Sequence, residues 1–382
     1  MFAPLLALLL TSGTAMAAPT IEPYGFIKMD AVWDDSRVYT GNSAVYVEAE
    51  DVNRNDSQFN MTANETRLGL RVTGSDFGNM KTRGVVEADF YGGGVANKSN
   101  PMLRHAYGEV SWPAWDLAIL GGQTWDVMGP LNPSTLNVNV LWGAGNIGYR
   151  RPQLRVTKGV EIGGVRVELA AAAVRTISQT ATPFVNDNGV DAGFPTGEAR
   201  LGVAIPSWTK QKVVLGLGGH IGQEEWDSGK TGNPVYFRSW SAVVDLTMPV
   251  CETLLLKGEG WMGENLASYN AGVYQGIAGI GLGKPLSKWE TIRATGGWMA
   301  LSAGPYKFWK FNAGTSLDDP YEADLKSSTD KKRNQSIFFN VTYDITTATT
   351  AGLEVSDWIT EYKSSAKNAE ALRVQASLIH RF

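Results

Sequence analysis

The sequence predicts an all-β fold, a 16-stranded antiparallel transmembrane β-barrel with an inward-folded third loop. Three observations lead to this prediction: alternating apolar and polar segments recur along the chain, the connections between them alternate in length, and glycine is abundant. Glycine accounts for 43 of 382 residues, about 11%, against a usual ~7%. Because an interior glycine costs a helix roughly 1 kcal/mol, this composition favours strands and turns.

The alternation of apolar and polar residues is clearest at the C-terminal end. Leu372, Val374 and Leu378 lie on one face of a predicted strand, and Arg373 and Gln375 lie on the other. A period of two residues is typical of a strand with one apolar face. The predicted strands are 24–34, 66–73, 83–91, 103–112, 115–125, 149–158, 164–176, 198–206, 212–222, 236–249, 253–263, 274–283, 290–301, 335–345, 349–361 and 370–382.

The connections between these strands alternate in length. The long ones, 35–65, 126–148, 177–197 and 302–334, follow odd-numbered strands, whereas the connections after even-numbered strands are mostly short. Transmembrane β-barrels have an even number of strands, short turns at one end and long loops at the other. A soluble secreted β protein is the alternative, but a sandwich gives no reason for every second loop to be short.

Charge and the chemistry of rare residues exclude several classes of function. The 34 basic and 38 acidic residues give a net charge of −4, which provides no general basic field for nucleic acid. The histidines, His105, His220 and His380, are dispersed through the chain. The sequence therefore predicts no zinc site, no cofactor and no enzymatic activity. The single cysteine, Cys251, is expected to be a buried, unreactive thiol near a turn.

The two ends of the chain carry export signals. Residues 1–17, MFAPLLALLLTSGTAMA, combine a short apolar run with a small-residue cleavage site, which predicts a signal peptide. The barrel is then expected over 18–382. Phe382 ends an alternating strand, a pattern typical of substrates of the outer-membrane barrel assembly machinery. The predicted location is the outer membrane of a Gram-negative bacterium, in contact with lipid and lipopolysaccharide.

The alternation also predicts which charged side chains line the lumen. If Leu68 and Leu70 face lipid, Arg67 and Arg71 face inward, because a Lys or Arg facing lipid at mid-bilayer costs about 2–4 kcal/mol. The same argument assigns the lumen residues Arg67, Arg71, Arg83, Arg151, Arg155, Arg166, Lys28, Asp30, Glu87 and Asp89. It also assigns Arg200, Lys257 and Arg293 to the lumen.

Two interpretations of the lumen arginines remain open. Arg67, Arg71, Arg83, Arg151 and Arg155 could form a basic wall that attracts anions, since guanidinium groups stay charged and bind carboxylates bidentately. Alternatively, these arginines pair with lumen carboxylates and merely solvate the wall. The sequence does not decide between the two interpretations.

Two further features are expected of such a barrel. The segment 126–148, DVMGPLNPSTLNVNVLWGAGNIG, has few charges and several Gly and Pro, which suits a loop packed inside a barrel; an ordinary outer loop is the alternative. Tryptophans near the predicted strand ends are expected to form interfacial girdles. These are Trp112, Trp115, Trp208, Trp289, Trp298 and Trp358.

The ordered combination of GFIKMDAVWD (25–34), TRLGLRV (66–72), VEADFYGGG (86–94), LRHAYGEV (103–110), GQTWDVMGP (122–130) and GAGNIGYRRPQLRV (143–156) resembles the DcaP-like outer-membrane porins. The resemblance implies a trimeric 16-stranded porin that takes up small anionic solutes, notably dicarboxylates and aromatic acids. Some members carry an N-terminal coiled coil, which this chain lacks before its first predicted strand, so its trimer is expected to rest on barrel-wall contacts. The alternatives are a general or cation-preferring porin, or a structural or adhesive barrel.

Overall fold

The structure, a computed structural model, describes residues 19–50, 56–74, 76–93, 98–178, 189–227, 234–279, 285–365 and 367–382. The predicted signal peptide, 1–17, lies outside the described residues. Within them one antiparallel sheet contains 16 strands: β1 (Thr20–Asp34), β2 (Gln58–Thr62 and Arg67–Thr73), β3 (Lys81–Asp89), β4 (Met102–Trp112), β5 (Leu117–Trp125), β6 (Arg150–Ile162), β7 (Val165–Val174), β8 (Thr196–Ile205), β9 (Val213–Asp227), β10 (Pro234–Cys251), β11 (Leu254–Glu264), β12 (Arg293–Tyr306), β13 (Trp309–Pro320), β14 (Lys331–Asp344), β15 (Thr349–Tyr362) and β16 (Ala369–Arg381).

The sheet closes on itself because its first and last strands pair. β1 pairs with β16 from Phe26 opposite Arg381 to Asp34 opposite Arg373, and it also pairs with both segments of β2. The predicted closed barrel of 16 antiparallel strands is confirmed. Among the described residues, no helix is long and apolar enough to cross a membrane.

The connections differ in length at the two ends of the barrel. At one end, pairs of strands are joined by two residues, as at 163–164, 252–253 and 307–308. At the other end, the connections 126–149 and 265–292 are each longer than 20 residues. The predicted alternation is therefore present, and we call the two ends the turn side and the loop side.

Over its described residues, 274–279, one predicted strand does not join the barrel sheet, and one barrel strand was missed. The predicted strand 274–283 lies in the long connection 265–292, where Ile277–Ala278 pairs with Glu290–Thr291 over two residues. The strand Trp309–Pro320 fell inside the predicted loop 302–334, because the sequence around it is rich in Asp and Lys. The predicted number of strands is correct because these two errors cancel.

The two faces of the sheet have opposite character. On the outer face, Leu68, Leu154 and Leu378 are 49%, 59% and 50% exposed. On the inner face of β16, Arg373 and Gln375 are nearly fully buried. The strand parity read from the sequence is correct for β16 and for β2, since apolar and polar side chains separate as a period of two requires.

Parity alone fails where apolar side chains occupy the inner face. Trp289, Trp298 and Trp358 are buried, so their assignment to an interfacial girdle is wrong. Trp298 and Trp358 belong to an apolar cluster between the barrel wall and residues 38–47. The cause is that apolar residues of other segments, such as Val38, Val47 and Leu141, pack against these side chains and make this part of the inner face apolar.

Two further sequence-based assignments are wrong. Arg293 does not point inward: its neighbour Ala294 is buried on the inner face, and Arg293 is half exposed and binds Asp324 at 2.8 Å. Cys251, the last residue of β10, does lie beside a turn, but it is exposed rather than buried.

Candidate solute-binding site

One cavity lies on the loop side, against the inner face of β2–β6. Its volume is about 690 Å³, and we call it the loop-side cavity. Four cations line it, namely Arg67, Arg104, Arg150 and Lys331, together with the carboxylates Glu65 and Asp89. Aromatic and amide side chains complete the lining: Tyr39, Tyr46, Tyr91, Trp125, Trp142, Tyr274, Asn42, Asn132, Asn137 and Asn139.

Both carboxylates of the loop-side cavity are engaged by cations. Glu65 accepts a short hydrogen bond from Lys28, and Asp89 accepts one from Arg104 at 2.8 Å. Charge-assisted pairs of this kind are strong and directional. Their negative charge is therefore largely compensated before a solute enters.

Arg150 contacts three aromatic rings and, unlike Arg67 and Arg104, forms no ion pair within the described residues. Its guanidinium carbon is 4.7 Å from the ring centroid of Trp125, 5.7 Å from that of Trp142 and 5.1 Å from that of Tyr149. The side chain is 97% buried by neighbouring atoms, yet its Nη1 has no hydrogen-bond partner. Aromatic faces stabilise a cation without neutralising its charge, so Arg150 keeps its positive charge.

Lys331 supplies a second cation of this type. Its Nζ lies 4.4 Å from the ring centroid of Tyr46, and within the described part of the chain neither Lys331 nor Arg150 forms an ion pair. Burial raises the pKa of the phenols of Tyr46 and Tyr274. Both phenols therefore stay neutral at physiological pH and add no negative charge.

A second cavity, of about 360 Å³, lies on the turn side of the same wall. Of its arginines, Arg83 and Arg166 bind acids, whereas Arg155 donates to Gln153 and to the carbonyl of Trp125. Arg83 donates to both carboxylate oxygens of Glu109 at 2.7 and 2.9 Å, and Arg166 binds Asp116 and, at 2.9 Å, Glu168. The hydrogen bond from Arg166 lowers the pKa of Asp116, so this acid remains ionised and keeps compensating the arginine.

The segment 126–149 contacts the inner face of distant strands. The backbone N–H of Leu131 donates to Glu259 on β11 at 2.7 Å, and that of Leu136 donates to Glu354 on β15 at 2.6 Å. Both carboxylates are buried. A buried carboxylate needs donors, and these two obtain them from a loop that starts on β5.

A hairpin formed by residues 37–48 also packs against the inner face, which the sequence analysis did not foresee. Val38 and Val47 form a β-bridge, and the N–H of Tyr39 donates to the carbonyl of Tyr46 at 2.9 Å. We call this element hairpin 37–48. The sequence carries a signal for it, since the strand-favouring residues Val38, Tyr39 and 45–47 flank the turn residues TGNS.

A third internal segment, 265–276, is bonded to the 126–149 segment. The carbonyls of Asn270 and Tyr269 accept hydrogen bonds from the N–H groups of Gly143 and Gly148 at 2.7 and 2.8 Å. No local pattern in the sequence indicates this contact, because it joins two loops that are far apart in the chain.

The predicted lumen residues fall into three groups: residues that line a cavity, one residue that is exposed, and residues that are buried in contacts. Arg67 and Asp89 line the loop-side cavity, and Arg83, Arg155 and Arg166 line the turn-side cavity. Arg71 is exposed, with its guanidinium 3.8 Å from the ring centroid of Tyr24. The remaining predicted residues are buried in contacts: Lys28, Asp30, Glu87 and Arg151.

Arg151 illustrates the third group. It is 1% exposed, its Nε lies 3.3 Å from Asp126, and its guanidinium lies 3.6 Å from the ring centroid of Tyr269. Arg151 therefore joins the barrel wall to the internal segments. It does not line either cavity.

Three cavity residues were missed by the sequence analysis: Arg104, Arg150 and Lys331. Arg104 lies at a β-bulge, where Glu87 pairs with His105 and Ala88 pairs with Leu103. The extra residue breaks the alternation, and bulges are known to redirect side chains in this way. Nothing in the local sequence marks this bulge.

Solved structures with the same fold exist, although no protein-family model matches the chain and no curated protein matches its sequence. The outer membrane channel DcaP of Acinetobacter baumannii is 17% identical, over 98% of this chain and 100% of that chain, with a TM-score of 0.75. An anion-selective porin from Comamonas acidovorans is 13% identical, over 95% and 100% of the two chains, with a TM-score of 0.58. The trimer form of OmpT, an outer membrane protein of Vibrio cholerae, is 11% identical, over 96% and 100%, with a TM-score of 0.55. The chain thus has the fold of outer-membrane porins, and the predicted resemblance to DcaP is confirmed at the level of fold.

Proposed function

We propose that this chain is a porin of the Gram-negative outer membrane through which small hydrophilic solutes diffuse passively, with a preference for organic anions. The fold supports the channel function, since 16-stranded barrels enclose an aqueous lumen. The preferred solutes would be dicarboxylates or aromatic acids, as the resemblance to DcaP-like porins implies. No chemical step is involved, because pore width and charge set the selectivity.

The loop-side cavity is the observation that carries the anion preference. Its two carboxylates are compensated by Lys28 and Arg104, whereas Arg150 and Lys331 lie against aromatic rings and form no ion pair within the described residues. The uncompensated charge in this cavity is therefore positive. An anion entering it gains Coulomb energy, and the low-dielectric walls strengthen that interaction.

The 126–149 segment supports a constriction within the barrel. Its hydrogen bonds to Glu259 and Glu354 fix it against strands far from its own ends, and residues 132–142 contribute to the lining of the cavity. We propose that this segment folds into the lumen and confines the solute path to the part of the lumen that borders β2–β6.

The proposed assembly is a homotrimer held by barrel-wall contacts. OmpT of Vibrio cholerae, which shares the fold, forms a trimer. We further propose that the apolar outer face contacts lipid and lipopolysaccharide, and that Phe382 is read by the barrel assembly machinery.

A general or cation-preferring porin is the second candidate. It is favoured by the turn-side cavity, where Arg83 and Arg166 bind acids, and by the net charge of −4. The reversal potential of the purified chain in a planar bilayer under a KCl gradient separates the two candidates. We expect a chloride-favouring value. A potassium-favouring value would reject the anion preference, and no stepwise conductance at all would favour a structural or adhesive barrel.

A further inference from the structure

We infer that hairpin 37–48 is a second, fixed wall of the solute path and that the rings of Tyr39 and Tyr46 determine which solutes are retained. This inference rests on the proposed porin function and adds to it a specificity-determining element outside the 126–149 segment. It follows from how the hairpin divides its side chains, how its backbone is held, and what lies across the cavity.

Hairpin 37–48 has two chemically different faces. Val38 and Val47 are 2% and 0% exposed and belong to the apolar cluster with Phe338 on the barrel wall. Tyr39 and Tyr46, the neighbours of these valines in sequence, line the loop-side cavity. Because side chains alternate along a strand, burial of the valines places both tyrosines on the opposite face.

The hairpin is held by its backbone. The carbonyl of Asn42 accepts a hydrogen bond from Arg373 at 3.0 Å, and that of Val45 accepts one from Asn334 at 2.7 Å. The N–H of Val47 donates to Thr360 at 2.9 Å. These bonds come from side chains of β14–β16, so they do not depend on the side chains at positions 39 and 46.

The two tyrosine rings stack face to face. Their centroids are 4.7 Å apart and their planes differ by 8°. Tyr39 is 46% exposed, so one ring face remains open to the cavity. Lys331 lies 4.4 Å from the Tyr46 centroid, which places a cation beside the stack.

The remainder of the cavity lining carries the arginine wall, including Arg150. A solute in this space meets cations and an aromatic surface together. Planar groups stack on tyrosine with offset or edge geometries that saturated rings of the same charge and similar size do not match. The tyrosines are therefore expected to discriminate by shape and planarity, while the cations discriminate by charge.

Two probes separate these roles. Benzoate and cyclohexanecarboxylate carry the same charge and have similar size, but one ring is planar. The dwell time of each inside single channels is measured from current blocks in planar bilayers. In the parent protein we expect benzoate to dwell longer. In the double variant Tyr39→Leu/Tyr46→Leu, the ratio of the two dwell times should fall about five-fold, and the KCl reversal potential should stay unchanged.

Two variants serve as controls for the tyrosine pair. Tyr39→Phe/Tyr46→Phe keeps both rings and should retain the ratio of dwell times. Tyr236→Leu removes a tyrosine from the outer face of β10, where it is 53% exposed, and should leave the ratio unchanged. Folding of each variant is checked by the mobility shift of the unheated barrel in gels.

The inference is overturned if the double leucine variant keeps the parent ratio, if Tyr236→Leu lowers it equally, or if the parent shows no preference for benzoate. These outcomes are independent of the anion preference, because both probes have one negative charge. A potassium-favouring reversal potential would reject the proposed anion preference. The ratio of the benzoate and cyclohexanecarboxylate dwell times would still test the role of the tyrosines.

Discussion

The two sides of the barrel interior use charged residues in different ways. Along β14–β16 and β1, the inner face is covered by the 126–149 segment and hairpin 37–48, and its charges are buried in pairs such as Arg373 with Asp34. Along β2–β6, the inner face borders the loop-side cavity, where Arg150 lies against aromatic rings. The same residue type therefore holds the structure together on one side and faces the solute path on the other.

This difference shows why a count of lumen arginines is a poor guide to selectivity. An arginine whose carboxylate partner is also buried contributes little net field, and its loss leaves an unpaired charge. An arginine beside aromatic rings keeps its field. Substitutions of arginines buried in ion pairs should then change stability, and substitution of Arg150, which forms no ion pair within the described residues, should change ion preference.

The largest expected effect is that of Arg373→Met on the covered side. Arg373 and Asp34 are each 1% exposed and their atoms are 3.0 Å apart. Removal of the guanidinium leaves a buried carboxylate without its partner and also removes the donor to the carbonyl of Asn42. The free energy of unfolding should therefore fall by about 3–5 kcal/mol. Urea unfolding followed by tryptophan fluorescence measures this loss.

The control for that prediction is Arg71→Met. Arg71 is exposed on the open side and lies over Tyr24, so its loss should change the urea midpoint little. Equal midpoints for the two variants would show that the covered side is not held by its buried pairs.

A smaller loss of stability is expected from Gly145→Ala within the 126–149 segment. Gly145 has φ +123°, and a Cβ there would lie 2.3 Å from the carbonyl oxygen of Gly297 on β12. The segment would have to move off the wall, at a cost of about 1–3 kcal/mol. Gly121→Ala is the matched control, since a Cβ at Gly121 meets no atom within 4 Å. Similar unfolding curves for both variants would contradict close packing of this segment.

The same contrast explains how far the sequence could be interpreted. Parity identified the inner and outer faces of β2 and β16 because those faces differ in polarity, as at Leu68 and Arg373. It failed at Trp298 and Trp358, where internal chain segments make the inner face apolar. The periodicity of a strand reflects the polarity of whatever covers its faces, and here the covering residues are distant in sequence.

The site was less predictable than the fold for a related reason. Arg104 lines the cavity because a β-bulge redirects its side chain. Lys331 lines it because the end of its strand packs beside Tyr46. Hairpin 37–48 did carry a local signal in its turn residues TGNS. Its docking inside the barrel depends on Thr360, more than 300 positions away, which no local pattern can indicate.

The smallest expected effect concerns selectivity on the open side, through Arg150→Met compared with Arg166→Met. Each substitution removes one positive charge. Arg150 is 3% exposed and has no acidic partner in the described residues, so its loss should lower the chloride-to-potassium permeability ratio about three- to ten-fold.

Arg166 is 34% exposed and binds two acids at the turn side. Solvent and salt screen such a site, so Arg166→Met should change the ratio by less than about two-fold. Reversal potentials under one KCl gradient give both ratios. An equal drop for the two variants would mean that total charge along the path sets selectivity, and that the aromatic surroundings of Arg150 do not matter.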